Sequence, residues 1–132
     1  MHLNLVDTNS EVIDAWHHLF ADVPQVTVSH GSIFDHPADA LVSPANSFAA
    51  PTMRTPMTIT RGPNVYQAMK AILVLLRYGK MTTGELISDK IQRVAIPGLG
   101  TGIGQVRPLV CARQMRLAWE DVMHEKFATE TG

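Results

Sequence analysis

A strand that runs directly into alternating glycines and then into a helix is the feature that most constrains this chain. Residues Val94 to Ile96 are β-formers, glycine occupies every second position from Gly98 to Gly104, and Pro108 can open a helix at its first turn. Glycines let backbone N–H groups face a guest without an intervening Cβ, and a helix N-terminus carries partial positive charge. The pattern therefore predicts a loop that binds a phosphate-bearing ligand.

The known phosphate-loop patterns do not describe this run. A P-loop ends in Gly-Lys-Ser/Thr, and no lysine lies between Ile91 and Glu125. The dinucleotide fingerprint needs a third glycine at its sixth position, where this chain has Ile103 or Gln105. A flexible connection between strand and helix, without a ligand, is the alternative interpretation.

Composition limits the class of protein. The chain has 132 residues, enough for one domain with a core, and its net charge of −1 is unlike that of a general nucleic-acid binder. The single Cys111 excludes an intrachain disulfide and is typical of a reducing compartment, so we expect a cytoplasmic protein. No apolar stretch approaches the ~18 residues of a membrane span, and no signal peptide is apparent, so we expect no membrane association.

Strands and helices alternate along the chain. The predicted strands are Leu3–Val6, Val26–Val28, Ala38–Val42 and Arg93–Ile96. A capping box at Thr8 and Glu11 predicts a first helix that ends near Pro24; Asn64 to Tyr78 and the segment after Pro108 are the other two. This order is typical of an α/β sandwich with a largely parallel sheet, in which ligands bind at the carboxyl ends of the strands.

Three segments are predicted to reach that edge, namely Gly31–Ile33, Ser43–Ser47 and the glycine loop. In this order they resemble the macro domain, the family that binds or processes ADP-ribose. Ala40–Asn46 is similar to its strand ending in Asn-Ala-Ala-Asn, and Pro97–Gly104 to its second, diphosphate-binding loop. Ala50–Pro56 resembles a later strand end in a bacterial-type branch. The resemblance implies a single macro-like domain over residues 1–132, a three-layer α/β/α sandwich with a mixed, largely parallel sheet.

The resemblance also implies a binding site for ADP-ribose. Ser32 and Ile33 match the pair that holds the adenine edge, and Asn46 matches the residue that contacts the distal ribose and supports hydrolysis where hydrolysis occurs. The implied ligand-binding residues are Ser32, Ile33, Ala45, Asn46, Ser47, Gly98, Leu99, Gly100, Thr101, Gly102, Ile103 and Gly104. Asn46 is the candidate catalytic residue, although an Asx cap at a strand–loop junction explains it nearly as well from sequence. We expect no cofactor besides this ligand or substrate.

Histidines and the cysteine offer weaker candidates. His17, His18, His30 and His36 lack the Cys or carboxylate cluster that would complete a metal site, so we expect none. Cys111 lies near a helix start, where a thiol pKa can be depressed, but no histidine is near it in sequence. We expect it to be buried filler.

Departures from the family pattern weaken the implied site. Ser32 replaces an Asp, so a charge-assisted hydrogen bond of ~1.5–3 kcal/mol becomes a neutral one of ~0.5–1.5 kcal/mol, and adenine selectivity should fall. Gly104 stands where many members have an aromatic residue. Phe48 runs straight into Ala49, where the family has a first glycine-rich loop, a helix and a strand. Either these were deleted or the natural protein holds a segment that the printed sequence lacks; we expect the latter, because a deletion would expose sheet edge and core.

Three functions follow in order of preference. The first is a module that binds ADP-ribose or a related nucleotide diphosphate, free or attached to a protein or metabolite. The second is a hydrolase that removes ADP-ribose from a modified substrate, and the third is a degenerate scaffold that serves as an interaction surface. Turnover that Asn46→Ala abolishes without unfolding would identify the hydrolase, and absence of binding at millimolar ligand would favour the scaffold.

Overall fold

The computed structural model describes residues 1–42, 47–49, 57–58, 65–101 and 106–124, with the backbone alone described at 47–49 and 57–58. The strands are β1 (His2–Asp7), β2 (Val26–His30), β3 (Ala40–Val42), β4 (Ser47–Ala49), β5 (Met57–Thr58) and β6 (Arg93–Ile96). The helices are α1 (Ser10–Phe20), α2 (Val65–Tyr78), the short α3 (Ile87–Lys90) and α4 (Pro108–Met123), and a single 3₁₀ turn covers Ile33–Asp35.

The sheet is mixed and largely parallel, as predicted. Its strand order is β2-β1-β6-β3-β4-β5, and the first four of these run parallel to one another. The chain then turns back, because β4 pairs antiparallel with β3 and β5 pairs antiparallel with β4. The α/β class is therefore confirmed, and the antiparallel pair at one edge was not predicted.

The helices begin and end for reasons that are readable in the sequence. The side chain of Asn9 caps α1 by accepting a hydrogen bond from the Glu11 N–H (3.0 Å), so the cap lies one residue after the predicted Thr8. Pro108 occupies the first turn of α4, as predicted. Gly79 follows α2 directly, and its N–H bonds to the carbonyl of Leu75 (2.8 Å).

The main core lies between one face of the sheet and the helices. Leu3 and Leu5 of β1 join a single buried cluster with apolar residues of all four helices. Helix α4 packs against both α1 and α2, and the buried indole of Trp16 donates to the sulfur of Met115 (3.4 Å). The described helices therefore form one layer on one face of the sheet.

The expected third layer is not found among the described residues, where the opposite face of the sheet carries no helix. Of the residues whose burial the structure describes, a small cluster of Val6, Ile33 and Ala95 is buried on this face. The same face also carries polar side chains, because Asn4 Oδ1 accepts hydrogen bonds there from the hydroxyls of Thr27 (3.3 Å) and Ser29 (3.0 Å). Parallel strands buried on both faces are apolar throughout, so these polar positions explain why this face is open in the described part of the chain.

Strand β4 runs through Phe48 and Ala49, which pair with Val42 and Leu41 of β3. The expected additional segment between these two residues stays a prediction. The intact mass of the natural protein tests it, because an extra loop, helix and strand would raise that mass several thousand daltons above the mass of the printed sequence.

In the described ranges, no helix combines the length and the apolar character needed to cross a membrane.

Candidate functional site

The carboxyl ends of the parallel strands bring the described half of the glycine loop to one edge with the starts of α1, α2 and α4. β1 ends at Asp7, two residues before the cap of α1, and β6 ends at Ile96, directly before the loop. A Cβ on residue 98 would lie 3.0 Å from Val12 of α1, and the Cys111 thiol of α4 donates to the carbonyl of Leu99 (3.2 Å). The loop therefore rests against the first turns of α1 and α4, where helix dipoles favour negative charge.

Hydrogen bonds fold the first half of this loop into a tight turn. The backbone N–H (3.3 Å) and the hydroxyl (2.8 Å) of Thr101 both donate to the carbonyl of Gly98. The N–H of Val106 donates to the carbonyl of Gly100 (2.8 Å). The side chain of Leu99 is buried in the main core. The turn is thus fixed from beneath by side-chain packing and from both ends by backbone bonds.

Two of the glycines have packing reasons for being glycine. Gly100 has φ of +74°, and a Cβ there would lie 3.0 Å from Val106 Cγ2 and 3.2 Å from Val65 Cγ2. At Gly98 a Cβ would lie 2.9 Å from a carboxylate oxygen of Asp7. The loop therefore needs glycine at these positions even before a ligand is considered, and the alternation alone is weaker support for phosphate binding than the sequence indicated.

Asp7 is the residue that the sequence analysis missed. Its half-buried carboxylate accepts from the N–H of Gly98 (2.9 Å) and, through the other oxygen, from the N–H of Asn9 (2.9 Å). Its own carbonyl accepts from the N–H of Gly31 (3.0 Å). Asp7 therefore ties together the ends of β1, β2 and β6. An acidic residue that ends a strand just before a helix cap was the signal available in the sequence.

Ser32 and Ile33 lie at the same edge, after β2. The hydroxyl of Ser32 accepts from the N–H of Phe34 (3.3 Å) and so caps the 3₁₀ turn. Ile33 is buried against Val6 and Ala95 on the second face. Ser32 has a structural role whether or not it reads a base, and Ile33 anchors the turn that carries it.

Several predicted site residues lie outside the described residues: Ala45, Asn46, Gly102, Ile103 and Gly104. Ser47 belongs to β4, where its backbone pairs with Thr58. The roles that the resemblance implies for these residues stay predictions. Ser32 and Ile33 follow β2 and the run from Gly98 to Thr101 follows β6, and Asp7 links these two strand ends through its bonds to Gly31 and Gly98.

Cys111 is buried beneath the loop, as predicted. Burial raises the pKa of its thiol to about 12, and the charge of Asp7 adds to the effect. A thiol of this kind is protonated at neutral pH, which makes it a hydrogen-bond donor to Leu99 and not a nucleophile. Among the described residues there is also no group of three or more His, Cys, Asp or Glu side chains that could hold a metal ion.

The arginines of α4 separate into different roles. Arg107 is exposed at the N-cap of α4, next to the loop. Arg116 instead pairs with Asp22 (2.7 Å) and donates to the carbonyl of Leu19 (2.9 Å), at the carboxyl end of α1. Arg107 and the α1 residues Glu11, Asp14 and His18 line one surface pocket, so its positive charge lies near two carboxylates as well as beside the loop.

The edge can offer a ligand the positive ends of the dipoles of α1, α2 and α4, the backbone of a rigid turn, an arginine and the polar turn after β2. It can equally repel excess negative charge through Asp7.

A comparison of the chain with protein-family models, with curated proteins and with solved structures gave no match.

Proposed function

We propose that this chain binds ADP-ribose or a related nucleotide diphosphate at the carboxyl edge of its parallel strands. In this proposal the fold is macro-domain-like, the turn from Gly98 to Thr101 receives the diphosphate, and Ser32 lies beside the adenine. The observation that carries it is the position of that turn, which rests against Val12 in the first turn of α1 and Cys111 in the first turn of α4.

The spacing of the strands supports a ligand with two separated ends. The turn with Ser32 follows β2, the glycine loop follows β6, and β1 lies between these strands. Neighbouring strands are about 4.8 Å apart, so the two strand ends are separated by roughly 10 Å. A nucleotide can bridge such a gap with its base at one end and its phosphates at the other.

Charge at the phosphate end is mixed. Arg107 is exposed beside the loop and makes no ion pair within the described ranges. A phosphate held by loop amides gains from such a cation as well as from the helix dipoles. The overall charge of −1 leaves little long-range attraction, so affinity depends on these local groups.

Calorimetric titration with ADP-ribose, with AMP and ADP as comparison ligands, tests the proposal on a sample of known intact mass. We expect micromolar binding that prefers ADP-ribose. No heat, or equal weak heats for all three nucleotides, would contradict the proposed site and leave only its scaffold.

The adenine end has its own test in Ser32→Asp. An Asp can still cap the 3₁₀ turn and adds a charged acceptor for the adenine amino group, worth about 1 kcal/mol more than the hydroxyl, or about fivefold in affinity. The matched control is the hypoxanthine analogue of ADP-ribose, which lacks that amino group. An equal gain for both ligands would mean that residue 32 does not contact the base.

A further inference from the structure

The carboxylate of Asp7 is built into the wall of the glycine loop. Its Oδ2 atom lies 2.9 Å from the Gly98 nitrogen, and the missing side chain of Gly98 is what permits the approach, since a Cβ there would lie 2.9 Å from the same oxygen. Its Oδ1 atom is held by the N–H of Asn9. The charge is therefore fixed in position and cannot swing away when a ligand arrives.

No cation neutralises this charge in the described part of the chain. The partners of the Asp7 side chain there are two backbone N–H groups, and no ion pair of the described residues includes it. The charge of Asp7 also acts on the Cys111 thiol beneath the loop, where it contributes to the raised pKa of that thiol. Asp7 thus occupies the backbone N–H of Gly98 and places a negative charge next to the loop.

We propose that Asp7 is a specificity-determining residue of the loop. It makes the loop bind diphosphates in which both phosphates are esterified more tightly than nucleotides that end in a free phosphate. This inference rests on the proposed function, because it concerns the same site. A doubly esterified diphosphate carries two negative charges, whereas a terminal phosphate loses a further proton near pH 6 and carries one more. The additional charge is repelled by the fixed carboxylate.

The size of the preference follows from Coulomb's law. A phosphate on an amide next to Gly98 would lie about 6 Å from the carboxylate, roughly two hydrogen-bond lengths. With an effective dielectric constant of about 40, between the values for a protein surface and for water, one unit of charge at that distance corresponds to about tenfold in affinity.

The experiment compares ADP with its β-methyl ester, which differ by one methyl group and one charge at pH 7.5. Each is titrated calorimetrically into the wild-type protein, Asp7→Asn and Asp89→Asn, with ADP-ribose as a third ligand. We expect the wild type to bind the ester about tenfold more tightly than ADP. We expect Asp7→Asn to reduce this ratio to about one, because the whole tenfold difference comes from the charge of Asp7. Asp89→Asn, which removes an exposed carboxylate of α3 before the start of β6 and so at the opposite edge of the sheet, should leave the ratio unchanged.

The outcomes separate the two proposals. Binding of ADP-ribose with equal affinities for ADP and its ester in the wild type would overturn the role of Asp7 and retain the proposed function, without any variant. An unchanged tenfold ratio in folded Asp7→Asn would overturn it too. Absence of binding of all three ligands to the wild type would remove the proposed function, and the specificity proposal with it.

Discussion

Gly100 offers a direct test of how tightly the loop after β6 is held. Its φ of +74° lies in the left-handed region, which costs an alanine about 1–2 kcal/mol, offset by about 0.4–1 kcal/mol from the stiffer unfolded chain. A Cβ would also press on Val106 at 3.0 Å and on Val65 at 3.2 Å, and such overpacking costs about 1–2 kcal/mol more. Gly100→Ala should therefore lower the free energy of unfolding by about 2–3 kcal/mol.

Gly84 provides the matched control for the backbone strain. Its φ is +88°, yet nothing lies within 4 Å of where its Cβ would be. Gly84→Ala should therefore cost only the strain, about 1 kcal/mol. The difference between the two variants measures the contacts of the loop alone.

Thermal and urea unfolding of the wild type and both variants give the change in the free energy of unfolding for each substitution. For a domain of this size about 1 kcal/mol corresponds to roughly 4 °C in Tm, so we expect a fall of about 4 °C for Gly84→Ala and about 10 °C for Gly100→Ala. Equal losses would refute the packing of the loop against Val65 and Val106. A neutral Gly100→Ala would refute the left-handed conformation itself.

Two further predictions concern side chains beneath and beside α4. The Cys111 thiol should resist a disulfide reagent in the native protein at pH 8 and react fully in urea, because it is buried with a pKa of about 12; fast native reaction would contradict this position. Arg116→Ala should destabilise the protein by about 1–2 kcal/mol in urea unfolding, since it removes charged hydrogen bonds to Leu19 and Asp22. The matched control is Arg113→Ala, which removes an exposed arginine and should change the free energy of unfolding by less than about 0.5 kcal/mol. A similar loss in both variants would show that the hydrogen bonds of Arg116 to Leu19 and Asp22 do not stabilise the protein.

The parts of the fold that follow from local patterns were predictable. Helix α1 follows from apolar residues at helical spacing, and Val12, Ile13, Trp16 and Phe20 are all buried as that spacing requires. Strand β6 has the predicted bounds, because β-formers are followed at once by Pro97 and glycine. In each case one short segment contains the whole signal.

The parts that depend on distant residues were not predictable. The turn back into β4 and β5 is decided by pairing with β3, which no local pattern in Ser47–Ala49 announces. The open second face could have been anticipated from β1, where the polar His2 and Asn4 alternate with Leu3 and Leu5. The resemblance to the macro domain implies helices on both faces, which this alternation in β1 does not support.

Asp7 shows why the site itself was only partly predictable. The glycines alone suggested a loop shaped for a ligand, whereas Gly98 is also shaped for a carboxylate 91 residues earlier in the chain. Together with the buried side chain of Leu99 and the thiol of Cys111, this carboxylate fixes the first half of the loop before any ligand binds. A loop ordered in advance loses little conformational entropy on binding, so its selectivity is set by its fixed charges. Under the proposed function, the same three contacts that make the loop part of the core make Asp7 the group whose substitution should change ligand preference most directly.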